Sequence, residues 1–309
     1  MPDIRPALGY IGKVRRLEAN YIKGINEARL GYKRSVLDIL IRDGVRLSTV
    51  SRVRSEIGIL ERAVANVSRE QLPKVDELTL WYMNQQLGNL RKVGEPGLPN
   101  IQQLNITTYS ERQQVYQNTL IETPSWINDL ARSMDTNLTR LAVSGADIDT
   151  AIGRLLALSI TDGRASVFRL SGAAAQTQTS AATWTASVLA ASGLFKATQI
   201  ITRTVYMKQA IAVIDQATTD CCLRVHGQVQ PLDKPFILEG SPRFADKLDS
   251  SPFHWNCRTA ISLYTEKMEE KGIPTSEMVD AAQAEMIARE RTGKRETIWP
   301  AHSTSRRGE

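Results

Sequence analysis

The fold class is decided at residues 204–215, TVYMKQAIAVID, where the sequence changes from a helical to a strand-like pattern. The segment is rich in β-branched and apolar residues, and four of them would alternate onto one face of a strand: Val205, Met207, Ile211 and Val213. Residues 226–232, HGQVQPL, and residues 259–264, TAISLY, have the same strand-like texture. Between these two segments, residues 233–252 are rich in proline and are predicted to form a long loop. Together the segments predict a short antiparallel sheet.

Upstream of this region the sequence is patterned for helices. Apolar residues recur at helical spacing in residues 14–46, 48–67 and 74–92. Pro73 is expected to separate the second and third helices, because proline is accepted at a helix start but not inside a helix. Ser48 and Thr49 are suitable N-caps for the second helix. Long helices followed by a small sheet define the predicted fold class, α+β.

The middle and the end of the chain continue this helical pattern. Residues 95–100, EPGLPN, form a linker rich in proline, and helical patterns follow at about 108–122, 125–143 and 147–157. No charged residue lies between Arg169 and Lys196, and this stretch predicts a buried helix of small residues at about 173–192. Its content of Ala, Ser, Thr and Gln is too polar for a membrane span. A last helix is predicted at about 275–290.

The sequence therefore divides into four regions. Residues 1–95 form a basic helical region, and residues 101–195 form a second helical region. Residues 196–265 form an α+β core, and residues 266–309 form a C-terminal helix with a basic, flexible tail. A chain of 309 residues with 42% hydrophobic content can bury a core of this size. The N-terminus shows no secretory signal.

The basic surplus of the chain is concentrated in its first helices. The whole chain has a net charge of +6, and residues 1–62 alone contain thirteen Lys or Arg against seven Asp or Glu, which is also a surplus of +6. A solvated helix face is the ordinary explanation of such a surplus. A face that contacts DNA phosphates is the alternative, and its candidate residues are Arg15, Arg16, Lys33 and Arg34.

All three cysteines and two of the three histidines fall in the segments TTDCCLRVHGQV (218–229) and SPFHWNCRT (251–259). Clustered thiol and imidazole groups are typical of a metal site, because zinc binds four sulfur or nitrogen donors at tetrahedral corners. The spacing gives one candidate zinc site, with these ligands: Cys222, His226, His254 and Cys257. Cys221 is left out, because neighbouring side chains in an extended strand point to opposite faces.

Three other interpretations of these residues stay open. Cys222 and Cys257 would be small buried hydrophobes, with His254 hydrogen-bonded to the backbone. The spacing matches no standard zinc signature, which favours this first interpretation. A disulfide between Cys222 and Cys257 is the second, although a reducing compartment disfavours it. In the third, Cys222 and His254 act as nucleophile and base of a hydrolase-type enzyme or toxin-like domain, but the sequence lacks G-x-S-x-G, H-E-x-x-H and P-loop motifs.

Structural roles are predicted for several residues around this cluster. Asp215 ends a strand, and its carboxylate can accept backbone N–H groups in the turn formed by Thr218 and Thr219. Gly227 permits a sharp or closely packed backbone before the next strand. Arg258 can pair with Asp215 or Asp220 and hold the two segments together.

The same segments resemble the phage Mu F-like head-morphogenesis family of minor head proteins. The resemblance lies in an ordered series of motif residues: Asp215, Thr218, Thr219, Cys222, His226, Gly227, Pro252, His254, Asn256, Cys257 and Arg258. Many members have a C-x-x-C pair in the first segment, where this chain has Thr219 in place of the first cysteine. The commonly doubled proline before the histidine is Ser251-Pro252 here. At its most generous the similar region spans residues 150–265.

The resemblance implies a virion component and not an enzyme. It implies a protein made in the host cytoplasm and packaged in few copies inside the head near the portal vertex. Its partners would be the portal and capsid proteins, with DNA as a nonspecific contact, and its role would be head assembly, DNA packaging or genome delivery. No cofactor is implied, and zinc is left as the alternative raised by the cysteine and histidine cluster.

Overall fold

A computed structural model of the chain describes residues 3–122, 124–156, 166–215, 217–238, 246–254, 257–271 and 275–292. Long helices dominate, and a small antiparallel sheet follows them, as the fold class α+β predicts. The first six helices are α1 (Arg5–Asp43), α2 (Leu47–Lys92), α3 (Ile101–Tyr116), α4 (Ser125–Val143), α5 (Ile148–Leu156) and α6 (Val167–Thr202). A π-helical turn, Gln117–Ile121, follows α3 directly.

Strands and short helices alternate in the last third of the chain. In chain order they are β1 (Met207–Ala212), α7 (Asp220–Val225), β2 (Val229–Pro231), β3 (Phe236–Ile237), β4 (Lys247–Leu248), β5 (Thr259–Tyr264), α8 (Glu266–Glu270) and α9 (Thr275–Thr292). β1 is the central strand of a three-stranded sheet in the order β2-β1-β5, and both of its neighbours run antiparallel to it. β3 and β4 pair as a separate antiparallel ribbon, in a region predicted to be only a loop.

The chain packs as two compact units, and neither is one continuous segment. The first unit contains Met1–Arg15, Val75–Tyr116 and Trp184–Glu309, and the second contains Arg16–Lys74 and Gln117–Thr183. The whole sheet therefore belongs to the first unit.

In the first unit, α2 packs against the edge of the sheet. The ring of Tyr82 stacks on that of Tyr10 with centroids 4.1 Å apart, and both side chains are buried. The Tyr82 hydroxyl donates to the carbonyl oxygen of Ile261 at 3.0 Å and lies 2.8 Å from the hydroxyl of Ser262. Because β5 is an edge strand, this contact satisfies a carbonyl that no neighbouring strand reaches.

The second unit is held by close helix packing. A Cβ atom added at Gly24 would lie 2.7 Å from Val67 Cγ1, so α1 and α2 approach too closely there for any side chain. The Tyr21 hydroxyl lies 2.5 Å from the Ser68 hydroxyl across the same pair of helices. The buried face of α4 is apolar and consists of Trp126, Ile127, Leu130, Met134 and Leu138.

Several predicted helix boundaries were wrong. α2 runs without a break through Pro73, because proline removes only one backbone hydrogen bond and buried residues such as Val64 and Val75 continue the apolar face on both sides. Since α2 begins at Leu47, Ser48 and Thr49 lie in its first turn and are not its N-caps. The Thr49 hydroxyl instead donates to the Gly44 carbonyl at 2.8 Å.

Three other helices differ from their predicted lengths. α1 begins at Arg5, well before the predicted start at residue 14, and α3 begins at Ile101 directly after the linker. Asn100 caps α3, because its side-chain oxygen accepts the Gln103 amide at 2.8 Å. α6 is longer than predicted at both ends, and it buries small residues as expected.

Candidate functional site

The turn after β1 is organised by Asp215, as predicted. Its Oδ1 accepts the Ala217 amide at 2.9 Å and lies 3.0 Å from the Thr218 hydroxyl. The Thr218 hydroxyl also lies 2.5 Å from the Val213 carbonyl oxygen, and Thr218 is almost fully buried. These contacts close a tight Asp-Thr turn that leads directly into α7.

Arg258 joins this turn to the segment before β5. Its guanidinium donates to the Asp215 carboxylate, which confirms one of the two predicted pairings. Burial alone would raise the pKa of Asp215, but the hydrogen bonds from Arg258 and Thr218 lower it below its ordinary value. Asp220, the other predicted partner, pairs with a different arginine.

That arginine is Arg289 on α9, at the end of the predicted last helix. Its guanidinium donates to the Thr218 carbonyl at 2.6 Å, to the Asp215 carbonyl at 2.8 Å and to the Asp220 carboxylate at 3.1 Å. Its Nε also donates to Glu285 at 2.9 Å. The spacing of four residues between Glu285 and Arg289 on a helix is the sequence signal that indicates this last contact. The rest of the predicted tail, residues 293–309, lies outside the described residues.

His226 holds the backbone of the central strand. The Ala212 amide donates to its Nδ1 at 2.8 Å, so the neutral ring carries its proton on Nε2. The side chain is buried, and this burial lowers the pKa of His226 from 6.5 to about 4. Because the Ala212 amide occupies Nδ1, the role of His226 is structural: its side chain stabilises the backbone at the end of β1.

Gly227 has the close packing that its position predicts. Its φ is +79°, in the left-handed region, and its amide donates to the Ala210 carbonyl at 2.8 Å. A Cβ atom added there would lie 3.0 Å from both Met278 Cβ and Val279 Cγ2. Glycine therefore allows α9 to pack directly on the turn between α7 and β2.

The cysteines meet His254 at the start of α7. The His254 Nε2 atom lies 2.6 Å from the Thr219 hydroxyl and 2.9 Å from Cys222 Sγ. On the other side of the cluster, Cys222 Sγ lies 3.7 Å from Cys257 Sγ, which accepts the Phe253 amide at 3.5 Å. The Thr219 hydroxyl also lies 3.1 Å from Cys221 Sγ.

Cys221 belongs to this cluster, against the prediction that neighbouring cysteines would diverge. The ligand atoms of Cys221, Cys222 and His254 all lie within 4.8 Å of one another. The prediction assumed an extended strand, whereas both cysteines lie in the first turn of α7. Of the four predicted zinc ligands, this group contains Cys222 and His254 but neither His226 nor Cys257, although Cys257 Sγ lies 3.7 Å from Cys222 Sγ. Asn256 lies outside the described residues.

Burial and hydrogen bonding shift the pKa values of the three thiols in different directions. All three cysteines have no exposed surface. Burial raises the pKa of Cys221 and of Cys257. It acts in the same direction on Cys222, but there hydrogen bonds from Cys221, Cys257 and His254 outweigh it and hold the pKa of Cys222 well below its ordinary value. Cys222 is therefore the most acidic of the three thiols.

The motif proline, Pro252, lies two residues before His254. The Ser251–Pro252 peptide bond is cis, and Ser251 and Phe253 on either side of the proline are buried.

The four candidate DNA-contact residues are less uniform than the sequence suggested. Arg16 and Arg34 are exposed, whereas Arg15 and Lys33 are half-buried. The ammonium of Lys33 lies 5.6 Å from the centre of the Phe168 ring. The Arg29 guanidinium lies 4.4 Å from the same ring centre, so both cations contact this ring.

Two further searches, for membrane-spanning helices and for related proteins, gave no match. None of the helices in the described ranges combines the length and the apolar character needed to cross a membrane. Comparison with family models, curated proteins and solved structures found no match to this chain.

Proposed function

We propose that the chain is a phage minor head protein of the Mu F-like kind. In this proposal it is made in the host cytoplasm, is packaged inside the head near the portal vertex, and acts in head assembly, DNA packaging or genome delivery. Its partners are the portal and capsid proteins.

The observation that carries the proposal is the meeting of the two motif segments. Residues 218–229 and 251–259 are far apart in the sequence, yet His254 lies 2.6 Å from the Thr219 hydroxyl and 2.9 Å from Cys222 Sγ. Arg258, the last motif residue, pairs with Asp215, the first. A chance match of short motifs gives no reason for such contacts, whereas a common module does.

Mass spectrometry of purified particles of the phage that encodes the chain tests this directly. We expect the chain in mature particles at low copy number, together with co-sedimentation of the purified full-length protein with assembled portal rings. Portal rings from an unrelated phage are the specificity control. Absence from the particles, together with no binding to portal rings or procapsids at any salt concentration, would sink the proposal.

Nonspecific DNA binding is a second candidate, which the exposed Arg16 and Arg34 favour. Binding to phosphates releases counterions, so affinity should fall steeply as salt increases. Replacement of Arg16 and Arg34 by alanine should flatten that salt dependence. A matched variant that removes two charges elsewhere, Lys267→Ala with Arg291→Ala, should leave the salt dependence unchanged. If neither variant alters the salt dependence, Arg16 and Arg34 are excluded as DNA contacts.

A thiol enzyme is the third candidate, favoured by the 2.9 Å distance between Cys222 Sγ and His254 Nε2. Its test is alkylation of the folded chain by iodoacetamide in the presence of a chelator, followed by mass spectrometry. Rapid modification of Cys222 that slows in a His254→Gln variant would support a nucleophile. Because Cys222 has no exposed surface, we expect modification only on unfolding, which would exclude this candidate.

A further inference from the structure

Four soft donor groups converge inside the first unit from two separate segments. Cys221 and Cys222 lie on α7, and His254 and Cys257 lie in the segment that leads into β5. A zinc ion with bonds of about 2.3 Å to sulfur places two tetrahedral thiolate ligands about 3.8 Å apart. The distance between Cys222 Sγ and Cys257 Sγ is 3.7 Å.

We propose that the protein binds one structural zinc ion with Cys221, Cys222, His254 and Cys257 as its ligands. Cys221, Cys222 and His254 have their ligand atoms within 4.8 Å of one another, and Cys257 adds the fourth donor beside Cys222. All three cysteines are fully buried. Four protein ligands in a closed, water-excluding position are the mark of a structural site rather than a catalytic one.

The chemistry of the donors favours zinc over the hard cations. Three thiols and one imidazole are soft or intermediate donors, and calcium and magnesium require oxygen ligands instead. Each thiol gives up its proton to solvent when it binds the ion, so zinc affinity should fall as pH decreases. The Phe253 amide, which donates to Cys257 Sγ at 3.5 Å, is a contact that stabilises a thiolate ligand.

A plain apolar core explains this arrangement less well. Thiols that only fill space have no need of an imidazole, yet His254 Nε2 points at Cys222 Sγ and at the Thr219 hydroxyl. Packing alone also gives no reason to place three of three cysteines in one cluster of a 309-residue chain.

Thr219 offers a test in the opposite direction, because it occupies a position with zinc-ligand spacing. Two residues separate it from Cys222, the spacing of the C-x-x-C pairs in structural zinc sites. Its hydroxyl lies 2.6 Å from His254 Nε2 and 3.1 Å from Cys221 Sγ. A thiol placed there by Thr219→Cys in a Cys221→Ser background should therefore take the vacated fourth position and restore zinc binding.

The experiment uses the full-length chain, purified with a reductant, and measures zinc by elemental analysis and cobalt(II) by absorption spectroscopy. We expect one ion per chain, with the charge-transfer and visible bands of tetrahedral cobalt–thiolate coordination. The substitutions Cys221→Ser, Cys222→Ser, Cys257→Ser and His254→Gln should each lose the ion or release it at lower chelator concentration. His302→Gln, which removes a histidine that is not among the proposed ligands, is the matched control and should keep the ion.

The double variant Cys221→Ser with Thr219→Cys keeps the proposal falsifiable if single variants fail to fold, because it should regain the fold and the zinc that Cys221→Ser loses. A folded, reduced wild type that binds neither zinc nor cobalt would overturn the site. So would a Cys222–Cys257 disulfide whose reduction exposes no metal affinity. A Cys221→Ser variant that binds as tightly as wild type would overturn the assignment of that ligand. None of these outcomes depends on whether the chain is found in phage particles.

Discussion

Protonation of His226 should destabilise the first unit at mildly acidic pH. The Ala212 amide donates to its Nδ1 at 2.8 Å, and a proton on Nδ1 would abolish that acceptor and place a charge on a buried ring. For this reason burial lowers the pKa of His226 from 6.5 to about 4 in the folded chain. The unfolded chain keeps the ordinary value.

The size and sign of the effect follow from these two values. Between pH 4 and 6.5 the unfolded chain binds more protons at this residue than the folded chain, so the free energy of unfolding falls as pH decreases through that window. At about 1.4 kcal/mol for each factor of ten in the equilibrium constant, the full loss is about 3 kcal/mol. Between about pH 7 and about pH 5 it amounts to about 2 kcal/mol.

The assay compares the wild type with His226→Gln, which keeps a hydrogen-bond acceptor for Ala212 but does not titrate. Urea unfolding is measured at both pH values with reductant and chelator present, and hydrogen exchange at the Ala212 amide reports on β1 itself. The wild type should lose about 2 kcal/mol more than the variant, because other titrating groups cancel in the difference. His302→Gln should behave like the wild type. An equal pH dependence in wild type and His226→Gln would refute the reasoning.

Three further substitutions test the contacts around the sheet by urea unfolding. Gly227→Ala should cost about 2 kcal/mol or more, because alanine must adopt a positive φ against α9, and retention of wild-type stability would contradict the close packing. Arg289→Ala should lower the free energy of unfolding by about 2–3 kcal/mol through loss of its charged hydrogen bonds. The control Arg291→Ala, at an exposed position, should change it by no more than about 0.5 kcal/mol. Equal effects of the two substitutions would mean that Arg289 does not stabilise the turn. Tyr82→Phe should lower the free energy of unfolding by about 1–2 kcal/mol, since the Ile261 carbonyl at the edge of β5 loses its donor. An unchanged stability would mean that water can replace the tyrosine hydroxyl at this carbonyl.

The elements with clear local signals were predicted well from the sequence. α4 begins and ends at the predicted residues 125 and 143, because Pro124 marks its start and its apolar spacing is regular. β5 matches residues 259–264 in full. β1 was found but is shorter than the predicted 204–215, so Met207 and Ile211 lie in it whereas Val205, which is exposed, and Val213 lie outside. Five of the six residues of β1 are buried. A central strand covered on both faces does not show a period of two.

The candidate site was predicted in its composition but not in its geometry. α7 has six residues, too few for helical periodicity to show in the sequence, so the prediction for the two cysteines assumes an extended strand. That one error separated Cys221 from Cys222 and left His226 among the metal ligands in its place. Arg289 was missed because its surroundings in the sequence are charged and polar, and only the packing of α9 distinguishes it from a solvated arginine.

The contacts around the turn after β1 explain why residues that do not touch sulfur belong to the motif. Arg258 holds the Asp215 side chain, Arg289 holds the carbonyls of Asp215 and Thr218, and the Thr218 hydroxyl closes the turn on β1. Two separate segments of chain thus fix one turn, and Thr219 and the cysteines follow it directly. A turn held in this way sets the direction in which α7 leaves the sheet, and hence where its first-turn thiols lie relative to His254. Loss of Arg258 should therefore weaken metal binding even though Arg258 is not a ligand, while Lys in its place, a charge without the planar fork, should restore only part of it.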